Sequence, residues 1–252
     1  MKRWIIILLM LSLLLVGCSR EEKLPDMATV EDSGILTIGV TQCPPFAVDE
    51  AGQWTGFDVA LAEAICKELG VEARFVEIPW ADRWALLNDR TVDCIVGCVS
   101  ATDDLAFRVD LSQTYLASAP VLLTGVELAE ETNFTDVKIA AEGDSACALA
   151  AVACLGQVSM VYAADQQEAL DLLMNGEVQC AVVDRIVAGS IDTSGVIQRT
   201  DLELGVHELA VATRLNSDLT DAINKALTTL QIRGELDKLA ETYQIGDALV
   251  VG

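Results

Sequence analysis

The sequence predicts an α/β fold of two similar lobes, and three observations carry that prediction. Strand-like and helix-like segments alternate from Ile35 to Val99, which implies a mainly parallel sheet with helices on both faces. A stretch running Leu86-Leu87-Asn88-Asp89-Arg90-Thr91-Val92-Asp93-Cys94 is echoed by Leu172-Leu173-Met174-Asn175-Gly176-Glu177-Val178-Gln179-Cys180. Both read as a helix end, a turn and a strand entry. The chain has 252 residues, which suits one large domain or two of ordinary size.

Ile35 to Val40 is β-branched and alternating, a strand, and Cys43-Pro44-Pro45-Phe46 stops it. Gly52 to Gly56 reads as a turn region. Asp58 to Leu69 is an amphipathic helix with Leu61, Ala62, Ile65, Cys66 and Leu69 on its apolar stripe. Glu63 and Lys67 make a surface pair on it, and Gly70 closes it. Val71–Ile78 is the next strand, Trp80–Asn88 a short helix, and Val92–Val99 a third strand. The run from Ser145 to Leu155 is apolar all round and predicts a buried helix. Near the C-terminus, Ser217 and Asp218 can cap a helix whose inner face carries Leu219, Ala222, Ile223, Ala226, Leu227 and Leu230. Gly234 interrupts it, and Glu235–Tyr243 follows.

The N-terminus points to export. Lys2 and Arg3 precede the apolar run Trp4–Val16, which is too short to span a bilayer as a mature helix. Leu15-Val16-Gly17-Cys18 resembles a bacterial lipobox, so residues 1–17 read as a leader and Cys18 as the lipidated first mature residue. Residues 18–33 are polar and acidic and read as a tether. The formal net charge of −23 opposes binding to nucleic acid and to anionic headgroups, and weakly opposes a highly anionic ligand.

Eight cysteines are present. With Cys18 set aside the number is odd, so a monomer keeps at least one unpaired. Cys94 and Cys98 on one strand would lie about 13 Å apart, and Cys147 and Cys154 on one helix about 10 Å, both beyond disulfide reach. There is no CxxC and the only histidine is His207, which disfavours zinc. The cysteines therefore read as buried thiols used as small apolar side chains. No cofactor is expected.

From Gly34 to about Ile245 the chain resembles the polar amino-acid-binding family (family 3) of bacterial extracellular solute-binding proteins, which serve ABC importers. The resemblance rests on Gly34-Ile35-Leu36-Thr37-Ile38-Gly39-Val40, Pro45-Phe46, Gly56-Phe57-Asp58-Val59-Ala60-Leu61-Ala62 and Val92-Asp93. It continues through Val109-Asp110-Leu111-Ser112, Val182-Val183-Asp184, Asn224-Lys225-Ala226-Leu227 and Gly234-Glu235-Leu236-Asp237-Lys238. It implies the type II periplasmic-binding-protein fold: two Rossmann-like lobes joined by two crossing strands, with ligand in the cleft between them. Lobe 1 is expected at 34–120 plus 212–252, and lobe 2 at 121–211.

By the same resemblance, Asp184 takes the ligand ammonium, Ser145 at a helix start holds its carboxylate, and Trp80 forms an aromatic wall. Gly97, Cys98 and Ser100 form the lobe-1 segment that receives the ammonium. Two positions depart. The family's carboxylate-binding Arg falls on Leu105, and its second aromatic wall falls on Cys43. Either another arginine substitutes, with Arg83 and Arg185 nearest in sequence, or the ligand lacks an α-carboxylate. Asp184, Asp144 and Glu142 would suit an amine-bearing solute.

The expectation is a monomeric, lipid-anchored binding protein that captures an amino acid or related amine and hands it to ABC permease subunits. A sensor module serving a separate membrane partner is the alternative. A cyclohexadienyl-dehydratase-like enzyme is the other, disfavoured because its carboxylate-rich substrate needs cationic residues in the cleft and because the only histidine, His207, falls in a predicted hinge strand.

Overall fold

The computed structural model describes residues 23–102, 105, 107–128, 132–190 and 197–250. The leader and Cys18 lie outside the described residues. Helix α1 (Asp26–Ser33) comes first, then strands β1 (Ile35–Val40), β2 (Val48–Glu50) and β3 (Gln53–Thr55), the last two a hairpin. Helix α2 (Phe57–Leu69) leads to β4 (Glu72–Glu77), helix α3 (Arg83–Asn88), and the short strands β5 (Cys94–Ile95) and β6 (Val109–Leu111). After β7 (Leu116–Ser118) and β8 (Pro120–Thr124) come β9 (Lys138–Glu142), helix α4 (Ala146–Leu155) and β10 (Ser159–Ala163). Helices α5 (Gln166–Met174) and α6 (Arg185–Gly189) flank β11 (Cys180–Asp184). Strands β12 (Gln198–Arg199), β13 (His207–Leu209) and β14 (Ala212–Arg214) precede helices α7 (Leu219–Ile232) and α8 (Glu235–Thr242).

Two sheets define two lobes. The first has the order β4-β1-β5-β14-β6, with β1 parallel to β4 from Ile35↔Glu72 to Val40↔Glu77. The second has the order β10-β9-β11-β8-β12, with β9 parallel to β10 and β11 and antiparallel β8 beside them. Strands β7 and β13 pair antiparallel with each other, Leu116 facing Leu209, and form a ribbon where the chain crosses between lobes. The return crossing delivers β14 into the first sheet, antiparallel to β5 and β6.

Local sequence explains the pieces. β1 is buried along almost its whole length, as the inner strand of a parallel sheet must be. Helix α2 buries Phe57, Leu61, Ala62, Ile65 and Cys66 and stops at Gly70, whose left-handed backbone lets its N–H reach the Cys66 carbonyl. The Phe57 ring meets Tyr115 and Tyr243 at 6.2 and 6.1 Å. Before α2, Gly56 has φ 116°, and a Cβ there would lie 2.4 Å from the Phe46 carbonyl oxygen. Only glycine fits that approach. The echoed stretches occupy equivalent places, joining α3 to β5 in one lobe and α5 to β11 in the other.

Four expectations need correction. The tether read at 18–33 is structured over Asp26–Ser33, where α1 packs on the first lobe. Asp26 is buried, accepting from Arg214 Nε at 3.1 Å and Ser217 Oγ at 2.7 Å, with Arg214 Nη2 at 2.6 Å. Composition could not foresee a partner so far along the chain. The strand read at Val92–Val99 is reduced to Cys94–Ile95, because Gly97 (φ 125°) and Cys98 (φ 54°) turn the chain away. Helix α4 is not buried all round: Leu149 is 55% and Val152 47% exposed, since only one face has a sheet to cover it.

The fourth correction concerns the thiols. Cys43 and Cys98 form a disulfide, closing a loop of sequence separation 55. Cys66, Cys94, Cys147 and Cys180 are buried free thiols, while Cys154 is exposed. Burial pushes the Cys66 thiol up to about 12 and that of Cys94 well above its ordinary value, so these groups behave as apolar packing.

Candidate functional site

The C-terminal ends of parallel strands are where α/β sheets place ligands. The segment after β4 carries Trp80 and Arg83, that after β5 carries Val99 and Ser100, and that after β9 carries Asp144 and Ser145. Together with Trp84, Thr102, Leu105, Arg108, Ala146 and Leu149 they enclose a cavity of about 210 Å³ lined from both lobes.

Of the residues singled out from sequence, Trp80, Ser100, Leu105 and Ser145 line this cavity; Cys43, Gly97, Cys98 and Asp184 do not. Leu105 is buried at 8% exposure and lies in the same apolar cluster as Trp80. Ser145 caps α4: its Oγ accepts from the Ala148 N–H at 3.2 Å and donates to the Glu142 carbonyl at 2.7 Å. Ser145 and Ala146 at the start of α4 line the cavity, where the first N–H groups of the helix lie outside its own ladder.

Two arginines line the same cavity. Arg83 is buried, its guanidinium carbon 4.0 Å from the centre of the Trp80 ring and 4.6 Å from that of Trp84. It donates to the Trp80 carbonyl at 2.6 Å and, across the lobes, to the Asp144 carbonyl at 3.0 Å. Trp80, Arg83 and Trp84 share a helical face by spacing, so this stack was available to a sequence reading. Arg108 also lines the cavity and is exposed. Sequence reasoning passed over it, because its only signal is its place directly before Val109-Asp110. Arg185, the other substitute considered, lines a separate depression with Pro45 and Tyr243.

A second polar cluster ties the lobes together beside the cavity. Both carboxylate oxygens of Asp184 are engaged: Oδ1 accepts from Ser118 Oγ at 2.8 Å and from the Ile186 N–H at 2.7 Å, and Oδ2 lies 2.7 Å from His207 Nε2. The Asp184 N–H donates to Gln166 Oε1, and Gln166 Nε2 lies 3.9 Å from Cys43 Sγ across the interface. Cys98, the disulfide partner, donates its N–H to Asp58 Oδ2 at 3.3 Å, and the Tyr115 hydroxyl donates to Asp58 Oδ1 at 2.9 Å. Burial pushes the Asp58 carboxyl up to about 7, against those two hydrogen bonds, with nearby Asp184 adding to the rise. Burial likewise lifts Glu142 to about 8, with Asp165 raising it further and Arg83 opposing. Among the described residues no cluster of metal-ligating side chains occurs.

Two lobes on a crossing ribbon, with a small polar cavity lined from both, define a cleft-type binding protein. The chain belongs to the bacterial extracellular solute-binding proteins, family 3, whose pattern matches residues 36–246. It is 26% identical over 230 residues to the L-cystine-binding protein TcyJ of Escherichia coli (strain K12), covering 85% of this chain and 84% of that one. Among solved structures, an ABC uptake transporter substrate-binding protein from Streptococcus pneumoniae with bound histidine superposes with a TM-score of 0.82. It is 23% identical and covers 90% of this chain and 98% of its own, a likeness of fold alone. The ancestral amino acid-binding protein AncCDT-1, a precursor of cyclohexadienyl dehydratase, is 25% identical with a TM-score of 0.79, covering 87% of this chain and 99% of its own.

Proposed function

We propose that this protein is the receptor of an ABC uptake system, anchored outside the cell through lipid on Cys18, and that it captures a free amino acid by closing its lobes. The observation that carries the reading is the cavity lined by Trp80 and Arg83 from one lobe and by Asp144 and Ser145 from the other. Such a site exists only when the lobes meet, so ligand binding and closure are the same event. The relative named for L-cystine binding supports the solute class. Within this reading an α-carboxylate meets Arg83 and the start of α4, and Trp80 walls the site. The ammonium approaches the Ser100 side, towards the Asp184 cluster. The lobes, taken as 34–120 with 212–252 and 121–211, move about the β7–β13 ribbon. The protein binds its solute without transforming it.

A thermal-shift screen over the amino acids tests this, since a ligand held only by the folded state stabilises it by RT ln(1 + [L]/Kd). A hit of several degrees, with a smaller radius of gyration by scattering, is the expected result. No response to any amino acid, or turnover of prephenate, would overturn the reading. For the anchor, Cys18→Ser releases the protein from the membrane fraction or leaves the precursor unprocessed; a lipidated variant would refute it.

A further inference from the structure

We infer that Glu142 receives a cationic group at the far end of the solute, so that the cleft selects an amino acid whose side chain ends in an ammonium or a guanidinium. The inference rests on the reading of the protein as an amino-acid receptor and specifies its ligand class.

Trp80 lines a second cavity, of about 420 Å³, as well as the first. Its walls come from the C-terminal ends of three strands: Thr41 and Gln42 follow β1, Glu77 to Ala81 end and follow β4, and Ala164 and Asp165 follow β10. Both lobes therefore contribute, at the strand ends where α/β sheets hold ligands. The charged residues lining it are Glu77, exposed, and Asp165, half-buried. Glu142 stands next to this wall. It ends β9, and the parallel register sets it beside Ala163, the residue before Ala164 and Asp165. Glu142 is 5% exposed, and among the described residues no hydrogen bond or ion pair reaches its carboxylate. Asp184, the acid expected to face a ligand ammonium, has both oxygens taken by Ser118, Ile186 and His207.

A buried carboxylate without a bonded partner is costly. Burial, and then Asp165, push the Glu142 carboxyl up to about 8 against the pull of Arg83, which is how an acid behaves when no cation is paired with it. Trp80 supplies a second unmatched group. Its indole N–H can only donate, is buried, and has no acceptor among the described residues. An open donor and an open acceptor at one junction of the lobes call for a ligand that carries both an oxygen acceptor and a cation. An amino acid held by its α-groups in the first cavity brings the oxygen. A side chain that runs past Trp80 brings the cation to Glu142 and Asp165, where a charge-assisted bond supplies the missing counter-ion. The first cavity, about 210 Å³, is small for a long-chain amino acid, and the second gives the chain room. Together they fall in the range of about 300–1,000 Å³ usual for a ligand site.

Calorimetry on the ligand-free protein compares two cations with neutral molecules of nearly the same shape: L-lysine with L-norleucine, and L-arginine with L-citrulline. The expected result is that at least one cation binds tenfold or more tighter than its neutral counterpart. Glu142→Gln, which keeps the shape and removes the charge, lowers that ratio to threefold or less. Its melting temperature without ligand stays level or rises, because the variant loses an unpaired buried carboxylate. Should Glu142→Gln not fold, Asp165→Asn takes its place. It keeps the cap on α5, where Asp165 Oδ1 accepts from the Glu168 N–H at 2.8 Å, and lowers the same ratio threefold or more. If neither cation outbinds its counterpart tenfold while any amino acid binds, or if the ratio survives Glu142→Gln (or Asp165→Asn in its place), this inference fails while the amino-acid receptor stands. If no amino acid binds, both fall.

Discussion

Removing the α1 segment tests a structural claim that composition alone contradicts. If residues before Gly34 were a tether, a chain beginning at Gly34 would be as stable as one beginning at Ser19. The structure requires otherwise. The Asp26 carboxylate is 1% exposed and faces Arg214, itself 5% exposed, through Nη2 at 2.6 Å and Nε at 3.1 Å. Arg90 stands 3.3 Å away and Ser217 Oγ donates at 2.7 Å. Asp26→Ala leaves the Arg214 guanidinium buried with its charge unpaired, for which a cost of about 3–5 kcal/mol is usual. Truncation to Gly34 adds exposure of the surface under Val30, itself 1% exposed, worth about another 1.5–3 kcal/mol. Burial opposes the Asp26 charge, but hydrogen bonds from Arg214 and Ser217 and the two guanidinium charges outweigh it and hold the carboxyl below its ordinary value. A depressed carboxyl stabilises the fold above its unfolded pKa and ceases to as pH falls through the lower folded value. Urea denaturation at pH 7 of the three chains, followed by fluorescence, measures the losses. Unfolding free energies agreeing within about 0.5 kcal/mol would refute the argument.

Three further outcomes follow from the same geometry. Gly56→Ala sets a Cβ 2.4 Å from the Phe46 carbonyl oxygen at φ 116°, and should lower stability by about 2–3 kcal/mol in the same assay. Asp58 has a folded pKa of about 7 against an ordinary value of 3.8, so its contribution is fully present below 3.8 and lost as pH rises through about 7. Asp58→Asn should therefore flatten the decline in stability between those pH values by up to about 4 kcal/mol; an unchanged slope refutes the assignment. Val152→Ser on the uncovered face of α4 should change stability by no more than about 0.5 kcal/mol, whereas Leu122→Ala in the second sheet should cost about 2–5 kcal/mol.

What the sequence disclosed and what it withheld divide along a physical line. Periodicity and end signals are local, and they placed β1, α2 with its Gly70 stop and the two C-terminal helices. Contacts between residues far apart in the chain have no such signature. The Asp26–Arg214 pair spans the molecule, so an acidic, Pro-containing stretch read as tether. The cysteine spacings excluded bridges within single elements and said nothing of Cys43 with Cys98, which a turn at positive φ brings beside the β1 end. The apolar run of α4 reported its composition correctly and its burial wrongly, because burial depends on what covers each face. The site follows the same rule. The resemblance marked Leu105 as the place of a missing guanidinium, and Leu105 is buried in an apolar cluster with Trp80. Arg83 and Arg108 reach one cavity, from α3 and from the turn before β6, although they lie far apart in the chain. A ligand meets the summed field and the available donors of a cleft, to which several elements contribute at once. The loss of one arginine from a motif therefore predicts a changed ligand only when no other element of the cleft brings in a guanidinium, and such positions carry no mark in the sequence until the fold gathers them.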